Sequence, residues 1–188
     1  LVVQSFGGEI VYSDGNQNLR EAYLDVSSKF FKPSGLLPDL DLVRFPQYNT
    51  WIELMYDQNQ EDILKYANAI LENDFPPGVI MVDDNWQEDY GNWKFHHARF
   101  PNPKEMMDSL HNMGFKVMLW VCPFISADSY IHRDLNEKGY LLKDSTGNPA
   151  IIHWWNGYSS CIDFSHPQGY KWFDNQLETL DRKSTRLN

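Results

Sequence analysis

Cysteine is scarce in this 188-residue sequence, long apolar runs are absent, and positive charge is outnumbered. Each shortage excludes something. The only cysteines, Cys122 and Cys161, fall inside or beside apolar stretches, which predicts two buried thiols rather than a disulfide. No stretch approaches the ~20 apolar residues needed to span a bilayer, so no membrane association is evident. The net charge of −10 disfavours nucleic acid or an anionic membrane surface as a partner. His-x-x-x-His and Cys-x-x-Cys spacings are missing, as are phosphate-cradling glycine loops and a Gly-x-Ser-x-Gly elbow. No metal ligand is therefore assigned and no cofactor is expected.

What is present is aromatic: seven Trp, ten Tyr and eleven Phe, many beside Asp, Asn or Gly. The central stretch is Gly78-Val-Ile-Met-Val-Asp-Asp-Asn-Trp-Gln87. The apolar run Val79–Val82 after Pro-Pro-Gly reads as a strand buried on both faces, as in parallel sheets. Its C-terminal end carries Asp83 and Asp84, where α/β folds gather their ligands. Carboxylates accept hydrogen bonds from hydroxyls and indoles pack on C–H faces, so this pattern points to a sugar. The bland alternative has one acid capping a turn and the other pairing with a cation such as Lys94.

Around this stretch the pattern alternates. Asn49–Tyr56 is a strand candidate, and Gln60–Leu71 carries Ile63, Leu64, Ala67, Ile70 and Leu71 on one helical face. Asn102-Pro103 opens a helix with Met106, Met107 and Leu110 inward, stopped by Gly114. Phe115–Cys122 reads as another buried strand, and Ser165-His-Pro167 opens a last helix bearing Tyr170, Phe173, Leu177 and Leu180. Such β/α units imply parallel strands with right-handed crossovers. The connections after the strands, Asp83 to Pro103 and Cys122 to Ser165, are long, and long loops usually carry function. A hairpin is expected in the second, with Tyr140–Lys143 and Ala150–His153 flanking Asp144–Asn148.

The expected fold class is α/β. Residues 46–180 read as about three β/α units from the N-terminal part of a (β/α)8 TIM barrel, short of the eight a closed barrel needs. Residues 1–45, with Glu9–Tyr12 as a strand before a turn, read as the end of a β-sandwich domain and a linker. The opening Leu1–Phe6, strand-like and without Met, reads as the interior of a longer sequence. Residues 181–188 turn abruptly basic and resemble the translation of a sequencing adapter, so they are set apart from the fold. An unclosed barrel is expected to leave strand edges without partners.

Among aromatics, Trp120 and Trp155 are the first candidates for stacking on sugar, with Trp86 beside the acids and Tyr56 lining the site. Trp51, early in its expected strand, is assigned to the core. Taken together, Asn49–Leu54, Val82–Phe95, Arg99–Lys104, Leu110–Phe124 and Cys161–Pro167 resemble glycoside hydrolase family 31, in the branch that includes the myogenesis-regulating glycosidase and its bacterial relatives. The resemblance covers about residues 20–180. It implies a β-sandwich followed by a barrel that hydrolyses α-linked glycosides with retention. It further implies that Asp83 binds hydroxyls in the −1 subsite, that Asp84, Trp120 and Tyr56 line the same pocket, and that Trp155 and Asp163 lie before the fourth strand. The family's nucleophile and acid/base fall later than Leu180, so no catalytic residue is assigned and the chain is expected to be inactive. The rivals are a barrel that binds carbohydrate without cutting it, an α-galactosidase of a related family, and, more remotely, a metal-dependent hydrolase. Oligomeric state and localisation are left open.

Overall fold

The structure is a computed structural model that describes residues 17–185, with side chains described to residue 181. The chain divides into two compact units, residues 1–40 and 41–188. In the first, α1 (Leu19–Phe30) starts at Asn18, whose side chain accepts the Glu21 N–H, and it buries none of its residues. The strand expected at Glu9–Tyr12 lies outside the described residues. The described part of residues 1–45 is helical where it is regular, with α2 (Asp41–Arg44) beginning the second unit.

The second unit is built on three parallel strands, β1 (Gln47–Asn49), β2 (Val79–Val82) and β5 (Lys116–Leu119), in the order β1-β2-β5. β1 is joined to β2 through α3 (Trp51–Leu54) and α4 (Gln60–Glu72), and β2 to β5 through α5 (Pro103–Asn112). Ile63, Ala67 and Ile70 of α4 and Met106, Met107 and Leu110 of α5 pack with Ile80, Val82 and Phe115 in one core. Those are the positions the helical periodicity selects. Each fully buried Leu, Ile or Met contributes ~1.5–3 kcal/mol. At the entry to β2 the backbones nearly touch: the Val79 N–H donates to the Pro46 carbonyl at 3.0 Å, and any Cβ on Gly78 would collide with that carbonyl.

Three expectations need correction. The first strand ends at Asn49 rather than running to Tyr56. There the Asn49 side chain accepts the Trp51 N–H at 2.7 Å, and this local turn starts the short helix α3, taking Trp51 out of the core strand. Asn102 precedes α5 but makes no side-chain cap; its N–H donates to Gln60 Oε1 at 2.9 Å instead, tying α5 to α4. The third strand is half-buried rather than buried, with Met118 41 % exposed, and no strand among the described residues pairs with the far edge of β5.

The long connections fold into antiparallel structure. β3 (Gln87–Asp89) and β4 (Asn92–Phe95) form a hairpin directly after the acids. β6 (Phe124–Ser126), β7 (Ile152–Trp154) and β8 (Gly157–Cys161) form a second sheet in the order β6-β8-β7. α6 (Tyr130–Glu137) closes over it with Leu135, Leu141, Ile125 and Ile162 in a smaller core. The expected hairpin around Asp144 exists as one bridge, Lys143 to Pro149, with the Asp144 N–H donating to Asn148 O at 2.8 Å. α7 (Pro167–Thr185) follows. Both cysteines are free thiols, Cys122 buried and Cys161 half-buried.

Candidate functional site

The three parallel strands end at one level, and their last residues are locked to one another. The Thr50 N–H donates to Met81 O at 3.0 Å and the Trp120 N–H donates to Val82 O at 3.0 Å. Asp83, next in sequence, thus emerges between Trp51 and Trp120. Its N–H donates to Thr50 Oγ1 at 3.0 Å, and that hydroxyl donates to Gln58 Oε1 at 2.6 Å. Thr50 and Gln58 are both fully buried. A buried hydroxyl with both roles filled holds the Asp83 backbone in one position.

The two carboxylates do different things. Asp83 Oδ1 accepts the Asp84 N–H at 2.7 Å. Among the described residues no donor of the chain reaches Asp83 Oδ2, and it is not one of the buried polar atoms left without a partner; with the residue 9 % exposed, that oxygen keeps a narrow opening to solvent at the mouth of the sheet. Asp84, 1 % exposed, turns inward. Its oxygens accept the Tyr90 hydroxyl at 2.8 and 3.0 Å, the Asn85 N–H at 2.6 Å and the Gln87 amide at 3.3 Å. Lys94 is exposed and the carboxylate draws its donors elsewhere. Burial chiefly, and the bonded Asp84 carboxylate next, push the Tyr90 phenol far above its ordinary range, so it stays a neutral donor.

The loop leaving β2 is braced from outside. Asn85 adopts a left-handed conformation with φ 73°, which an Asn tolerates, and its amide donates to Tyr56 O at 2.6 Å. The Arg99 guanidinium donates to the carbonyls of Asn85 and Gln87.

Aromatic rings form a chain of contacts among Trp51, Tyr56, Trp155, Trp120, Tyr90 and Trp154. Trp51 stands edge-to-face against Tyr56 at 4.9 Å and Trp155 at 6.2 Å; Trp155 meets Trp120 at 6.4 Å; Trp120 meets Tyr90 at 6.1 Å; and Tyr90 meets Trp154 at 5.2 Å. Edge-to-face packing leaves a face of an indole open to another partner. Trp155, 61 % exposed, and Tyr56, 48 % exposed, have such faces. Trp155 and Asn156 form the turn of the β7–β8 hairpin, and the Asn156 amide donates to the Tyr90 hydroxyl.

Of the residues singled out in the sequence, Asp83, Trp120, Tyr56 and Trp155 come together at this mouth. Asp84 sits beside them as an internal brace, its oxygens already occupied. Trp86 does not belong to the group. It is 0 % exposed, packs between Phe95 at 4.9 Å and Trp93 at 6.2 Å, and donates its indole N–H to Trp120 O at 2.7 Å. The turn at Asp84-Asn85 decides this: with Asn85 left-handed at φ 73°, Asp84 and Trp86 are both buried. Trp51 moves the other way, from the core to the site. Asp163 lies at the foot of α7, where Oδ1 accepts the Ser165 N–H and hydroxyl at 2.9 and 2.6 Å. The Ser165 hydroxyl in particular holds its carboxyl below the usual range. Sequence reasoning missed Tyr90 and Asn156; the Asn156-Gly157 pair, a hairpin-turn signal, was the available clue to the second.

Residues 45–185 match the family model described as the glycosyl hydrolases family 31 TIM-barrel domain. The chain belongs to glycosyl hydrolase family 31. Family 31 relatives include the myogenesis-regulating glycosidase of Mus musculus, 31% identical over 153 residues, covering 81% of this chain and 21% of that protein. The α-xylosidase XylQ of Lactiplantibacillus pentosus is 28% identical over 140 residues, covering 71% of this chain and 18% of the relative. The chain thus spans about a fifth of the length of the curated relatives it matches. Among solved structures, a family 31 α-xylosidase from a soil metagenome, complexed with xylose, superposes with a TM-score of 0.65 at 27% identity, covering 80% of this chain and 21% of the other. The three parallel strands are therefore part of a family 31 barrel.

Proposed function

We propose that this chain forms part of the −1 sugar pocket of a retaining α-glycosidase, with Asp83 as the acceptor of sugar hydroxyls. The observation that carries the reading is the Asp83 carboxylate itself: one oxygen held by the Asp84 N–H, the other open, at the C-terminal end of β2. Trp120, Trp51, Trp155 and Tyr56 supply the ring faces on which a pyranose packs. Asp84 fixes Tyr90 and the loop rather than touching sugar. The substrate class is an α-linked glycoside, and the α-xylosidases and the glucan 1,3-alpha-glucosidase among the relatives favour a xyloside or glucoside.

A retaining mechanism needs two carboxyl groups ~5–5.5 Å apart across the scissile bond. Asp84 is saturated by donors of its own chain, which leaves Asp83 without a partner acid here. By the resemblance, the family's nucleophile and acid/base belong to positions after Leu180. The chain therefore binds the sugar without cutting it. Saturation-transfer NMR against xylose, glucose and galactose tests binding, with Asp83→Asn as control. Loss of the signal in Asp83→Asn is the expected result; an unchanged signal, or none from the parent chain, sinks the assignment. Release of nitrophenol from an aryl α-glycoside by the 188-residue chain would overturn the inactivity.

A further inference from the structure

The β3–β4 hairpin carries a second group of side chains that sugar binding leaves unused. Glu88 on β3 and His96 and His97 just after β4 offer a carboxylate oxygen and two ring nitrogens, all within 4.8 Å of one another. The imidazoles stack almost parallel, with centroids 5.2 Å apart and planes 9° apart.

The backbone under these side chains is fixed. The His96 N–H donates to Trp86 O at 3.0 Å, and its carbonyl accepts the N–H groups of Arg99 and Phe100 at 3.1 and 2.9 Å. The His97 N–H donates to Glu88 Oε1 at 3.0 Å, and His97 Nδ1 lies 3.1 Å from the same oxygen. The bond from the His97 backbone, above all, keeps the Glu88 carboxyl below its usual range. An independent observation comes from His96, whose Nδ1 is buried with no hydrogen-bond partner among the described residues. Buried polar atoms left in that state call for a missing partner.

We infer that Glu88, His96 and His97 form a binding site for a divalent transition-metal cation of the zinc class, with water completing the coordination. Two imidazoles and one carboxylate suit zinc, nickel or copper, whereas calcium and magnesium demand shells of oxygen. Such an ion would clamp β3 to the end of β4. The same hairpin contributes Trp93 to the core and Tyr90 to the candidate sugar site, so the ion would be a brace for the hairpin and not a participant in chemistry.

Equilibrium dialysis of the metal-stripped 188-residue chain against zinc chloride tests the site, with His97→Gln and Glu88→Gln as variants. His97 is exposed, so its substitution leaves the fold intact, which a far-UV spectrum verifies. One zinc per chain is expected, with affinity at least tenfold weaker in either variant. A second readout is the ring resonances of the six histidines: zinc should move those of His96 and His97 and leave His111, His132, His153 and His166 in place. No retained zinc, equal affinity in His97→Gln, or movement of the other four instead would overturn the inference.

Discussion

Tyr90 and Asp84 are joined by a hydrogen bond from phenol to buried carboxylate, 2.8 Å to Oδ2 and 3.0 Å to Oδ1. The phenol oxygen in turn accepts the Asn156 amide, so one hydroxyl connects the loop after β2 with the turn of the β7–β8 hairpin. Trp155, beside Asn156, is held over the site by that link together with its ring contacts to Trp51, Trp120 and Trp154. Replacing Tyr90 with Phe removes a bond to a charged group, worth ~1.5–3 kcal/mol. The urea midpoint should fall at unchanged slope, and amide exchange in residues 154–157 should quicken. Unchanged exchange there would show that the hairpin holds itself.

The same pair dictates an alkaline pH dependence. Burial first and Asp84 second raise the Tyr90 phenol in the folded chain, while an unfolded tyrosine titrates near ~10. The native state keeps its proton longer, so the contribution is fully present below about pH 10 and is lost as pH rises further. Stability measured from about pH 8 to about pH 11 should decline more steeply in the parent than in Tyr90→Phe. Tyr48 and Tyr66 are also raised by burial, so the difference between the two proteins is the quantity to read.

His132 carries the opposite sign. Burial, with Arg133 nearby, lowers its pKa, and Nδ1 lies 2.8 Å from Ser160 Oγ. The unfolded chain takes up this proton near ~6.5 and the folded chain resists it, so the contribution is present above that pH and lost as pH falls through the lowered value. His132→Gln should flatten the acid limb of the stability profile below about pH 6.5. An unaltered limb would assign the acid loss to other groups.

Thr50 tests how Asp83 is held. Thr50→Val keeps the volume but orphans the Asp83 N–H and Gln58 Oε1, at ~1–3 kcal/mol for each buried group. Sugar affinity should fall together with stability. A loss of stability with intact affinity would mean that Asp83 is positioned by the sheet alone.

Trp155 and Trp86 separate surface stacking from core packing. Trp155→Ala should change stability by no more than ~0.5 kcal/mol while weakening sugar binding about tenfold. Trp86→Ala should cost ~3–5 kcal/mol. Equal effects on stability would contradict the exposures of 61 % and 0 %.

The contrast between those tryptophans marks where sequence reading stops. β2, α4 and α5 were legible because their apolar residues repeat with the period of one element, and the punctuation by Pro-Pro-Gly, Asn-Pro and Gly114 fell where the chain turns. The three-residue strands β3, β6 and β7 are too short to show a period. The helix α3 opens on a side-chain contact, Asn49 to the Trp51 N–H, and its own backbone bonds from Leu54 to Thr50 and Met55 to Trp51 complete it against the apolar pattern.

For the site, the sequence by itself pointed to acids, indoles and amides gathered at the end of a buried strand, because a short apolar run such as Val79–Val82 after Pro-Pro-Gly reads as an inner strand whose sequel lies at the sheet's mouth. Which acid opens to solvent, and which tryptophan goes inside, was decided by tertiary structure. Asp84 is claimed by Tyr90, and Trp86 by Phe95 and the Trp120 carbonyl. Those partners come from other turns of the chain, and a hydrogen bond or ring contact between distant segments leaves no periodic trace in either one.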